Sequence, residues 1–263
     1  MIAIEAVLRR ERAVIAAGLA AMVALAWAYV WEGAGMGMSA IDMTTVSLFP
    51  HRQSDVTGEM DSTWPVVIAM WWVMMIAMMT PSAAPLVLLY GVVLRRHSAT
   101  GRNAYLPSLL LLAGYLSVWL AFSGAAAALQ KALQPAGLLS EMMLWSKSAA
   151  LSAAVLAAAG LYQFSELKHA CLAQCRSPVR FLTEHWRPGR FGSFVLGVRH
   201  GAYCVGCCWM LMALLFVGGV MNLIWIAVLT LVVLLEKLLP DGAVFGNLSG
   251  ALLIVWAIAT LLV

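Results

Sequence analysis

Long apolar stretches alternate with short polar connections along the whole chain. Windows of about 20 residues with few or no charges match the thickness of a bilayer core. Seven such stretches stand out, at residues 13–31, 64–94, 105–129, 142–164, 191–217, 221–235 and 244–263. The predicted fold class is all-α, a polytopic transmembrane helix bundle of about seven spans. The second stretch contains Pro81 and Pro85. Proline removes a backbone donor and crowds the preceding turn, so a kink or break is expected near its middle. A tight hairpin on Gly218 and Gly219 should join the fifth stretch to the sixth.

Composition supports this pattern. Hydrophobic residues make up 63% of the chain and charged residues 11%, roughly half the charge of a soluble domain. The first stretch is of full spanning length without a clear small-residue cleavage pattern, so it reads as a span and not as a cleaved signal. The basic residues cluster at the ends of apolar stretches: Arg9, Arg10 and Arg12, then Arg95, Arg96 and Arg102, then Lys168, Arg176, Arg180, Arg187 and Arg190. Those three regions fall on one side of a seven-span chain, which places them and the N-terminus in the cytoplasm. The loop at 32–63 carries Asp42, Asp55, Glu59 and Asp61 against Arg52, as an outer loop should. The expected location is a bacterial inner membrane, with lipid and not nucleic acid as the partner of the basic residues. The chain divides into 1–63, a first span with an exoplasmic Met-containing loop, and 64–263, a six-span metal-binding membrane domain.

The candidate chemistry lies inside two of the apolar stretches. Residues 201–212 read GAYCVGCCWMLM. At about 100° per residue, His200, Cys204, Cys207 and Cys208 fall on one stripe of a helix, and polar groups in spans face the bundle interior. A single cysteine packs as a small hydrophobe; three within five positions, a turn from a histidine on the same face, point to a site. Residues 70–81 read MWWVMMIAMMTP, in which Met70, Met74 and Met78 repeat every four residues and Met75 and Met79 run beside them. Methionine is also a pliable filler, but the two stretches run in opposite directions and bring these residues to one depth. Thiolate, thioether and imidazole ligands together select soft ions, copper(I) above all, with zinc or iron as alternatives. Arg199, a turn before Cys204, is a candidate to offset thiolate charge.

Two further groups extend this picture. Met36, Met38, Met43, His51 and Met60 in the outer loop suit weak metal capture. On the opposite side, LKHACLAQCR brings His169, Cys171 and Cys175 close together, with the cysteines on one helical face, as a second metal site or a redox thiol pair. Glu236 and Lys237 read as structural residues: membrane-edge anchors, makers of interhelical hydrogen bonds, or partners in an ion pair with Arg199 or Arg190.

Three separated blocks, WPVVIAMWWVMMIAMMTPSAAP, YQFSELKHACLAQCRSP and HGAYCVGCCWMLMALLFVGGVMNLIWIAVLTLVVLLEKLLP, resemble a bacterial family of predicted metal-binding integral membrane proteins, a domain of unknown function. The resemblance covers residues 64–263. It implies metal binding at the matching positions, among them Met74, Met75, Met78, Met79, Cys171, Cys175, His200, Cys204, Cys207, Cys208 and Glu236.

The leading functional expectation is a copper(I)-binding membrane protein for transport, storage or delivery, with a periplasmic metal chaperone or metalloenzyme as partner. Cys204-Val-Gly-Cys207 is also a CxxC spacing, which leaves a membrane thiol oxidoreductase as the alternative; a membrane assembly subunit is a third. No Ser/His/Asp arrangement, phosphate-binding glycine loop or pair of inward carboxylates argues for hydrolysis, so no catalytic residue is assigned.

Overall fold

The computed structural model describes residues 2–35, 39–52, 63–97, 104–187 and 189–263. Among them the chain is helical, with no strand. The elements are α1 (Ile2–Trp31), α2 (Trp64–His97), α3 (Tyr105–Leu133), α4 (Ala149–Gln163) and α5 (Glu166–Arg176). They continue with α6 (Pro178–His185), α7 (Gly189–Ala213), α8 (Leu215–Gly218), α9 (Leu223–Leu238) and α10 (Gly242–Leu262). Five segments are long and apolar enough to cross a membrane: Arg10–Trp31, Trp64–Arg95, Tyr105–Leu133, Gly189–Gly218 and Gly242–Leu262. At 16 residues, α9 is about 24 Å long, short of a bilayer core of about 30 Å.

Two expectations are corrected here. The second apolar stretch is not broken, since α2 runs through both Pro81 and Pro85. Hydroxyl groups supply donors beside the first proline: Ser82 Oγ donates to the Met79 carbonyl at 2.8 Å, and Tyr115 Oη reaches the same oxygen at 3.1 Å. The prolines themselves withdraw helical donors from the Ala77 and Pro81 carbonyls, and prolines are tolerated inside apolar helices where the surroundings are packed.

The fourth stretch, expected at 142–164, becomes a helix only at Ala149. Its first part is a buried loop closed by a Leu139–Ser146 bridge, with Leu144 at a positive φ of 57°. Its serines bond the backbone and divert it from helix: Ser140 accepts from Met143 N, Ser146 donates to the Ser148 carbonyl, and Ser148 caps α4 by accepting from Leu151 N. After α4 the chain turns by 64° into α5, whose cap, Ser165, accepts from Lys168 N at 3.2 Å.

Glycines set the helix crossings. A Cβ on Gly197 of α7 would lie 1.9 Å from the Leu111 carbonyl oxygen of α3, and one on Gly160 of α4 would lie 2.8 Å from the Gly250 carbonyl of α10. Close backbone approach at small residues is how helices associate where no water drives them together. The predicted hairpin holds. Gly219 takes φ 97°, and the Trp225 ring occupies the space a side chain on Gly218 would need. Asn222 caps α9 by accepting from Ile224 N and Trp225 N. The outward face of α10 exposes Val244, Leu248, Leu252, Val255 and Leu262, and α1 exposes Leu25, apolar surface of the kind that calls for a covering environment.

Candidate metal site

The site forms where α2, α3, α5, α7 and α9 meet, and α7 is its spine. Cys204, Cys207 and Cys208 are all buried. The Cys207 and Cys208 thiols donate back to the Cys204 carbonyl at 3.1 and 2.9 Å, which holds both sulfurs on the inward face of the helix. Across from them, Cys208 Sγ lies 3.9 Å from Met79 Sδ of α2, and Cys207 Sγ lies 4.0 Å from Cys175 Sγ of α5. Two sulfurs bound to one ion at about 2.3 Å each stand about 3.8 to 4.6 Å apart, depending on the angle between them. Both contacts therefore have the separation that a shared soft ion requires. All five cysteines are free thiols.

The third sulfur, Cys204 Sγ, meets polar groups. Tyr115 Oη lies at 3.1 Å and Lys237 Nζ at 3.0 Å. Lys237 also donates to Ser82 Oγ at 3.0 Å. Tyr115 is brought here by the α3–α7 crossing, where Gly201 lies under its carbonyl. Among the described residues no three His, Cys, Asp or Glu side chains are gathered for one ion. The ligand groups come in pairs, one thiol with a thiol and one thiol with a thioether.

Several predicted residues take different places from those expected. The two cysteine groups are in contact, through Cys175 and Cys207. α5 packs on α7 with Cys171 over Gly206, where a Cβ would lie 2.7 Å from its sulfur, and with Cys175 against Cys207. His169 is half-buried on α5; two residues from Cys171, it points about 200° around the helix and away from the sulfurs. His200 is buried between the rings of Tyr115 and Phe181, at centroid distances of 5.7 and 5.1 Å, and its Nδ1 has no hydrogen-bond partner among the described residues. That nitrogen remains a candidate ligand one turn from Cys204. Met70, Met74, Met75 and Met78 are fully buried, yet the methionine in contact with a thiol is their neighbour Met79. In the outer loop, Met36, Met38 and Met60 lie outside the described residues, Met43 is buried, and His51 stacks edge-on with Phe49.

Glu236 and Lys237 are not edge anchors. Both are buried. Glu236 pairs at 2.7 Å with Lys168 of α5, in place of Arg199 or Arg190, and accepts from Gln163 Nε2 at 2.9 Å. Gln163 also donates to Ser249 of α10 at 3.1 Å and accepts from Lys168. The cation set against Cys204 is Lys237 and not Arg199. Tyr115, Ser82 and Lys237 are the site residues that sequence reasoning missed. The only signal for Lys237 is a lysine inside a long apolar run.

Fold and site together define an all-helical, strongly apolar protein that gathers thiol and thioether side chains in its interior. A family model described as PpoB2, copper chaperone, matches residues 68–260, and the chain belongs to that family. The matched stretch runs from α2 into α10 and includes every residue of the sulfur cluster. Searches of curated proteins and of solved structures return no match.

Proposed function

We propose that the chain is a membrane-embedded copper chaperone that holds copper(I) among sulfurs of α2, α5 and α7 and passes it to a partner protein. The observation that carries this reading is two sulfur pairs on neighbouring helices, Cys207 with Cys175 and Cys208 with Met79, each at a separation that one ion can bridge. Thioether and thiolate ligands favour copper(I) over harder ions, and the family description agrees with copper as cargo. Binding would draw the Cys207 and Cys208 sulfurs away from the Cys204 carbonyl and onto the metal. Cys204, in contact with Tyr115 Oη and Lys237 Nζ, stands beside the two pairs without joining either, and His200 Nδ1 is a candidate nitrogen ligand.

The outward apolar faces and the five long helices support a bacterial inner-membrane location. The basic connections put the N-terminus and the α5–α6 region on the cytoplasmic side. About seven crossings result if the α4–α5 pair and the short α9 each count as one. Cargo released past α5 would reach the cytoplasmic face, and cargo released past the 32–63 loop a periplasmic metal chaperone or metalloenzyme.

A thiol oxidoreductase is the second reading. The observation favouring it is the Cys175–Cys207 contact, which joins two helices, and not the CxxC spacing of Cys204 and Cys207. Anaerobic metal analysis of the purified protein with thiol counting on the same sample separates the two. The chaperone reading expects about one copper or more per chain, lost in the C207S/C208S double variant, with all thiols recovered after the metal is stripped. A metal-free protein lacking two thiols until reductant is added would replace it with the oxidoreductase.

A further inference from the structure

We infer that Lys237 makes the sulfur site selective for monovalent over divalent ions, by fixing the charge that a loaded site must balance. The inference rests on the copper reading above and concerns the same site. Lys237 is buried, with Nζ 3.0 Å from both Cys204 Sγ and Ser82 Oγ. No carboxylate answers it among the described residues. The adjacent Glu236 is taken by Lys168 and Gln163 on the other side of α9.

A monovalent ion held by two thiolates forms a complex of charge −1, and the ammonium brings the buried site to zero. A divalent ion on the same two thiolates is neutral, which leaves the ammonium uncompensated in an apolar interior, a costly arrangement. A third thiolate would restore neutrality for the divalent ion, but no three such ligands are gathered for one ion among the described residues. Softness of the ligands alone does not separate silver(I) from cadmium(II), both of which take thiolates. Charge does.

The test is competition between silver(I), an air-stable stand-in for copper(I), and cadmium(II) on the purified full-length protein, with bound metal read by mass spectrometry. Wild type should retain silver in preference to cadmium. K237M should shift that ratio towards cadmium by about a hundredfold, the scale of one unscreened unit charge at several ångströms in a protein interior. K237R should keep the wild-type ratio. K237Q, which removes the charge but keeps a donor for Ser82 and Cys204, should behave as K237M does, and it serves as the uncharged variant if K237M does not fold. An uncharged variant with the wild-type ratio, or a wild type that prefers cadmium, overturns the role of Lys237. A wild type that retains neither ion contradicts the copper reading itself.

Discussion

Glu236 and Lys237 are neighbours in sequence and point to different helices, and that pair carries much of the site's electrostatics. Glu236 fixes α5 through Lys168, both side chains being almost fully buried. E236Q removes one charge and strands the other; breaking a buried pair in this way costs about 3–5 kcal/mol. The expected readout is a large drop in thermal stability of the detergent-solubilised protein, much smaller in a K168M/E236M double variant in which neither charge remains. Tyr115 touches both Cys204 and the Met79 carbonyl. Y115F should leave folding intact and weaken copper(I) retention by about 10–100-fold, the usual effect of removing a partner that orients a ligand; a competition titration against a copper(I) chelator measures it. The shared buried face of Cys204, Cys207 and Cys208 was legible in the sequence because residue type and helical spacing lie within one segment, whereas spacing did not single out Met79 as the methionine that meets a thiol. Lys237 and Tyr115 were not legible, because spacing along one helix says nothing about what faces it from another. For Tyr115 the α3–α7 crossing at Gly197 and Gly201 decides that.

At the scale of elements, α5 is the helix whose place changes the reading. Its polar sequence placed it in a connection, and its cysteines read as a site of their own. The 64° turn after α4 lays it against α7 instead, and a bare Gly206 makes room for Cys171. Mild oxidation of metal-free protein should therefore link Cys175 to Cys207, giving one disulfide-joined peptide pair from α5 and α7 on digestion. A Cys171–Cys175 link in its place would contradict the packing. The α3–α7 crossing gives a second prediction. G197A, whose new methyl would meet the Leu111 carbonyl at 1.9 Å, should destabilise by about 1–3 kcal/mol or more. G124A on the open side of α3, with nothing within 4 Å, should not. The apolar periods located α2, α3, α7, α9 and α10 to within about four residues at each end, because buried helix faces demand apolar side chains. They failed at 142–148 for the same reason. MMLW is as apolar as a span, and the serines that turn it into a loop act through hydrogen bonds that hydropathy does not register.

For the whole molecule, a buried charge network and a buried sulfur cluster share one bundle inside an apolar shell. The exposed face of α5 tests the orientation better than its native thiols, since Cys171 is covered by α7. In an otherwise cysteine-free background, A173C should escape a membrane-impermeant thiol reagent in intact cells and react once the membrane is opened; reaction in intact cells would reverse the topology. The central claim, a sulfur site that holds copper(I), is tested most directly by X-ray absorption at the copper edge on protein loaded anaerobically. The account predicts a monovalent edge and a first shell dominated by sulfur at about 2.3 Å, diminished in the C207S/C208S variant. A divalent edge with a shell of oxygen or nitrogen alone would contradict it.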